Sequence, residues 1–167
     1  MTQNVLLHVE DDPNDVLLLQ RAFRKANAAL TINAVTDGDK AVAYLSGADE
    51  FADREKYPLP TVVLLDLKMP RKSGLEVLLW LRKQPQLRHL IVVFLTSSNS
   101  AEDIRLAYEA GANSYLVKPV EFTEMVELIR NVVVYWLEFN QRFPLLAAAA
   151  PGESARIPMA PLKKSPE

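Results

Sequence analysis

Thr61-Val-Val-Leu-Leu-Asp66-Leu-Lys-Met-Pro70 decides the fold: four apolar residues run straight into one carboxylate, with Pro60 before the stretch and Pro70 closing it. A continuous apolar run of this length predicts a central parallel strand covered on both faces. Ligands of such sheets bind beyond the carboxyl ends of the strands, which is where Asp66 is delivered.

Working outward, the chain repeats one unit. Asn4 to Val9 reads as a first strand that ends in Glu10, Asp11 and Asp12. Asp12-Pro13 is a helix start, a side-chain N-cap before a proline at the first helical position, and Val16, Leu17, Leu19, Gln20 and Phe23 continue at helical spacing to about Asn27. Leu30 to Val35 reads as a second strand, and Lys40 to Leu45 as a short helix with Ala41, Val42 and Leu45 inward. Residues 46 to 60 are polar and longer than a usual connection, and read as a surface excursion.

After Asp66, Ser73-Gly-Leu-Glu76 matches a capping box, and Leu75, Leu78, Leu79 and Leu81 make an inward stripe that ends at Gln84-Pro85. Leu90 to Leu95 is a further apolar strand, ending in Thr96. Ala101 to Ala110 is a helix closed by Gly111, Ser114 to Val117 a fifth strand ending in Lys118-Pro119, and a last helix starts near Phe122. Five strand-plus-helix units predict an α/β fold: a doubly wound, five-stranded parallel sheet of the flavodoxin-like kind, order 2-1-3-4-5, with helices on both faces. There is no internal repeat.

Composition bounds the class. In 167 residues, 49% hydrophobic and 24% charged, one domain and a tail fit. A net charge of -2 without a basic run disfavours nucleic-acid binding. Zero cysteines remove disulfides and thiolate metal sites. No signal peptide or membrane-length apolar run is legible, so a cytoplasmic protein is expected.

Parallel topology gathers Glu10, Asp11, Asp66, Thr96 and Lys118 on one edge. Each has an ordinary explanation alone: helix capping for the acids, a turn for Lys-Pro, a common strand end for Thr. Together, clustered carboxylates call for a cation, and an all-oxygen site with few protein ligands suits Mg²⁺. A carboxylate facing an ammonium and a hydroxyl is equipped to attack phosphorus, so Asp66 would form an aspartyl phosphate while Lys118 and Thr96 take up charge.

In this order and spacing, these residues resemble the CheY-like receiver domain of two-component response regulators, over residues 4 to about 138. The resemblance implies Asp66 as phosphoacceptor, Asp11 as direct metal ligand, Glu10 as outer acid, the carbonyl of Lys68 completing the metal shell, and Thr96 with Tyr115 as the switch pair. It also implies a cis bond before Pro119. Glu10 stands where the family often has Asp, a variation many members share. Lys68 and Ser98 occupy positions that tune phosphoryl lifetime. His8 reads as packing and His89 as part of a surface turn.

Helix five carries two apolar stripes, Phe122, Val126, Ile129, Val133 and Trp136, and Met125, Leu128, Val132, Tyr135 and Phe139. A helix apolar on two faces needs two partners. The second is expected to be another subunit, giving a homodimer through Val132, Tyr135, Trp136, Phe139 and Phe143, or else a folded-back tail. The domain boundary falls at residue 140, with 141 to 167 an extension that becomes Pro- and Ala-rich. The aromatic end of helix five and the long connection before strand three resemble, more narrowly, the Rcp-type regulators paired with phytochrome histidine kinases.

The function implied is a stand-alone phosphoacceptor that turns over no external substrate, takes phosphate from a histidine kinase and signals through helix four, strand five and helix five. The alternative is a degenerate receiver acting as a phosphorylation-independent scaffold. An aspartate-nucleophile phosphatase would want an acid where Lys68 stands. A nucleotide-binding module would want a glycine-rich loop where Glu10 to Asp12 would repel phosphate.

Overall fold

The Thr61 to Pro70 stretch forms strand β3 (Val62–Leu65), with every residue buried. In the computed structural model, which describes residues 4–143, it lies between β1 (Val5–Val9) and β4 (Ile91–Thr96). Adding β2 (Thr31–Val35) beside β1 and β5 (Ser114–Val117) beside β4 gives one all-parallel sheet of order 2-1-3-4-5. This is the expected topology.

Helices cover both faces. The face carrying Leu6, Val62, Leu64, Val93 and Leu95 packs on α1 (Pro13–Lys25) and α5 (Phe122–Val133). Leu7, Val9, Val63, Leu65 and Phe94 face α2 (Gly38–Ser46), α3 (Gly74–Lys83) and α4 (Ala101–Glu109). Their starts follow local chemistry: Asp12, Asp37, Ser73 and Ser100 cap α1 to α4, and Ser73 with Glu76 forms the expected capping box. Gly111, at φ 96, takes the left-handed turn after α4.

Gly74 is required for a different reason. A Cβ there would stand 2.1 Å from the carbonyl oxygen of Asp66. The absence of a side chain is therefore what lets α3 start directly against the end of β3, with the Gly74 N–H donating to the Leu67 carbonyl at 3.0 Å.

Several expected positions move. Leu17 and Leu79 point outward, because the buried arcs of their helices centre on Leu19, Ala22 and Phe23 and on Val77, Leu78 and Leu81. Residues 46 to 60 are more than a surface excursion. Phe51 and Tyr57 pack on the fully buried Tyr44, and Arg54 donates to the carbonyls of Tyr44, Leu45 and Tyr57 at 2.7, 2.8 and 3.2 Å. Tyr44 in turn donates to the Pro58 carbonyl at 2.9 Å, so the connection is stitched to α2.

Helix five departs most. Met125 and Val132, expected on an outer stripe, are buried with Val126 and Ile129 against the sheet. Beyond Val133 the winding widens to a π-helix (Val134–Phe139), which turns Leu137 inward and leaves Tyr135 and Phe139 exposed. Trp136 is half-buried against the same core. Phe143 stacks on His89 at 4.0 Å and is still exposed. The rest of the anticipated extension, residues 144 to 167, lies outside the described residues. Among the described residues no helix is long and apolar enough to cross a membrane.

Candidate functional site

The backbone ladder runs on into the site. Glu10 N–H donates to the Val35 carbonyl at 3.1 Å, Asp66 N–H to Val9 at 3.0 Å and Lys118 N–H to Thr96 at 2.8 Å. Each functional residue is thus held by the strand beside its own, at the carboxyl edge of the sheet. Glu10, Asp66 and Thr96 are buried, while Asp11 reaches solvent.

The structure brings the anticipated residues together. Glu10, Asp11 and Asp66 offer carboxylate oxygens that all lie within 4.8 Å of one another. Lys118 Nζ donates to Glu10 Oε2 at 2.6 Å and stands 3.9 Å from Asp66 Oδ1, and the Thr96 hydroxyl, at the end of the adjoining strand, helps hold the Asp66 carboxyl down against the rise that burial causes. One correction concerns Pro119: no peptide bond among the described residues is cis, and Lys118 reaches the pocket from a trans bond.

Sequence reasoning missed the lysine's second partner. Asp15, in the first turn of α1, accepts from Lys118 Nζ at 2.7 Å. It also missed Asp103, in the first turn of α4, which pairs with Lys68 at 3.2 Å and accepts from the Ser98 hydroxyl. Both acids read locally as helix-dipole residues, and nothing in local spacing reports a partner 103 residues away. Tyr115 donates its hydroxyl to the Ser98 carbonyl at 2.9 Å, with its ring against Phe94, so it sits half-buried beside the same loop.

Charge explains what the pocket needs. Burial pushes the Asp66 and Glu10 carboxyls above the ordinary carboxylate range, and the Lys118 ammonium works against that rise. For Lys118, burial alone would lower the ammonium, but its bonds to Asp15 and Glu10 and the charge of Asp66 outweigh it and raise the group. One cation faces four acids. Three of them offer a compact all-oxygen set of the hard, anionic kind that Mg²⁺ or Mn²⁺ accepts, so the residues fit a divalent cation.

His8, one turn of the pleat below Glu10, is buried with no hydrogen-bond partner at Nδ1. Burial, aided by Lys118, pulls it down to about 3, so it packs as a neutral ring.

A doubly wound sheet with an acid cluster, a hydroxyl and a lysine at its carboxyl edge defines a phosphoryl-transfer signalling domain rather than a nucleotide fold. The chain belongs to the response regulator receiver domain family, whose model matches residues 6–130. It is a signalling domain of two-component systems.

Among curated relatives, a probable methanogenesis regulatory protein, FilR2 of Methanothrix harundinacea, is 37% identical, covering 82% of this chain and 86% of that protein. Response regulator Rcp1 of Synechocystis is 33% identical, over 80% and 89%. Among solved structures, response regulator RPA3017 in red light signalling of R. palustris superposes with a TM-score of 0.80 at 39% identity, over 83% and 97% of the two chains. The phosphorylated cyanobacterial phytochrome response regulator RcpA gives 0.78 at 29%, over 84% and 99%. The Mn²⁺-bound form of Rcp1 gives 0.74 at 32%, over 83% and 98%.

Proposed function

We propose that the chain is a stand-alone response regulator that takes a phosphoryl group from a phosphohistidine of a sensor histidine kinase onto Asp66. The observation that carries this is the meeting of Asp66 with Thr96 and Lys118 beside the Glu10 and Asp11 carboxylates. An Asp66 carboxylate oxygen attacks phosphorus, the P–N bond to imidazole breaks, and the aspartyl phosphate forms. Lys118 and the Thr96 hydroxyl receive the charge of the transferred oxygens. Asp11 and Asp66 would hold Mg²⁺ directly, with the Lys68 carbonyl, and Glu10 would act from the outer shell. The ion when bound neutralises the acids and the phosphoryl oxygens.

The chain acts on no external substrate in this reading; it catalyses only its own gain and loss of phosphate. Thr96 closing on the phosphoryl group draws Tyr115 inward, breaking its bond to the Ser98 carbonyl and altering the α4, β5 and α5 surface. The names of the red-light and phytochrome relatives support a phytochrome-type kinase, and the chain would work in the cytoplasm. Residues 1–140 form the receiver and 141–167 an extension.

A homodimer completes the proposal. Tyr135 and Phe139 are exposed aromatics beside a groove of about 640 Å³ between β5 and α5, lined by Leu116, Leu128 and Trp136. Two aromatic rings on one face need a cover.

The test is intact mass after incubation with Mg²⁺ and phosphoramidate. One added phosphoryl group, absent from Asp66→Asn, is expected; the same adduct on the variant overturns the acceptor assignment.

A further inference from the structure

We infer that Asp15 is a positioning residue that sets how readily Lys118 is available to the acceptor. The inference rests on Asp66 as phosphoacceptor, and it concerns an acid outside the metal-binding group.

Lys118 Nζ has three N–H donors. Two are committed at charge-assisted distances, 2.6 Å to Glu10 and 2.7 Å to Asp15, while Asp66 Oδ1 at 3.9 Å feels the ammonium only through space. The lysine is therefore parked short of the acceptor. Glu10 has a reason to be there, as part of the Glu10, Asp11 and Asp66 cluster. Asp15 does not belong to that cluster.

Asp15 also has no capping duty. The N-cap of α1 is Asp12, whose carboxylate accepts from the Asn14 N–H at 2.8 Å. Asp15 instead reaches over the carboxyl edge of the sheet to the lysine that directly follows β5, leaving its own side chain about one-third exposed. It is the lysine's one strong partner that neither a metal nor a phosphoryl group requires.

Two consequences of opposite sign follow. Holding the ammonium between Asp15 and Glu10 keeps it 3.9 Å from Asp66, where it would compete with a divalent cation for that carboxylate, so Asp15 favours metal. When a phosphoryl-sized anion sits on Asp66, Lys118 must turn to it, and loosening the Asp15 bond opposes that step. Asp15 is a brake on the anion and an aid to the cation, both exerted through Lys118.

Calorimetric titration of the full chain separates these effects, with Mg²⁺ alone and then with beryllofluoride at saturating Mg²⁺ as the phosphoryl mimic. Asp15→Asn is expected to bind beryllofluoride about fivefold more tightly and Mg²⁺ weaker by a similar factor. Asp15→Glu, which restores the charge, should return both toward wild type. In a Lys118→Ala background, adding Asp15→Asn should shift neither.

Parallel weakening of both ligands by Asp15→Asn, no shift in either, or shifts that persist without Lys118 would overturn the inference while leaving the acceptor reading intact. A wild-type chain that binds Mg²⁺ but no beryllofluoride would overturn the acceptor reading, and this inference with it.

Discussion

Lys118 Nζ lies 2.6 Å from Glu10 and 3.9 Å from Asp66, so the pocket's one buried ammonium serves the neighbouring acid before the acceptor. Asp66 is therefore a buried carboxylate short of positive charge, and its chemistry and its stability are linked.

That linkage gives the first prediction. The folded-state carboxyl of Asp66 is raised by burial, so ionising it opposes folding: the contribution is unfavourable above the unfolded value and relaxes as pH falls through the folded one. At pH 7 without metal, Asp66→Asn should gain about 1 kcal/mol, a rise of roughly 3–5 °C in Tm. Mg²⁺ should raise the Tm of wild type more than that of the variant. Differential scanning calorimetry with and without Mg²⁺ checks both, and a less stable variant would mean that the carboxylate is already fully compensated.

His8 gives a pH dependence of the other sign. Its folded value is near 3 against 6.5 for the free side chain, so the unfolded chain binds a proton that the folded chain refuses. Its contribution is intact above pH 6.5 and is lost as pH falls toward 3, by about 2 kcal/mol at pH 5. Urea unfolding of wild type and His8→Leu at pH 7.5 and pH 5 isolates this, because the acids titrate alike in both. The difference between the two proteins should change by that amount over the interval.

Gly74→Ala should damage fold and site together. The added Cβ would meet the Asp66 carbonyl at 2.1 Å, and backbone cannot yield as a side-chain tip can. A loss of at least about 3 kcal/mol is expected, with reduced phosphoryl uptake in whatever remains folded. Denaturant melts set beside intact-mass labelling measure both. A variant that is stable and fully labelled would show that α3 can slide.

The scaffold was the legible part of this chain. Strands such as Val62–Leu65 announce themselves by continuous apolar runs, and Asp12-Pro13 and Ser73 with Glu76 mark helix starts through bonds made within a few residues. The site was legible as far as parallel topology places strand ends side by side, which reaches Glu10, Asp11, Asp66, Thr96 and Lys118. What escaped was set by distant partners. Asp15 and Asp103 find lysines on other elements, Tyr44 recruits Phe51 and Tyr57, and the π winding after Val133 changes the period on which any reading of stripes depends.

That winding sharpens the last prediction. Val132, in the regular part of α5, is buried against the sheet, and within the π winding Trp136 is half-buried, so of the four helix residues expected at the interface Tyr135 and Phe139 stand clear. An interface built on them loses its apolar anchors when both become carboxylates, whereas the monomer, in which both rings are exposed, loses little. Sedimentation of the full chain should show dimers for wild type and monomers for Tyr135→Glu with Phe139→Glu, at nearly unchanged Tm. Phe143→Ser, which removes only the stack on His89, should leave the dimer in place. A monomeric wild type, or a double variant that sediments like wild type, would remove this face from any role in association.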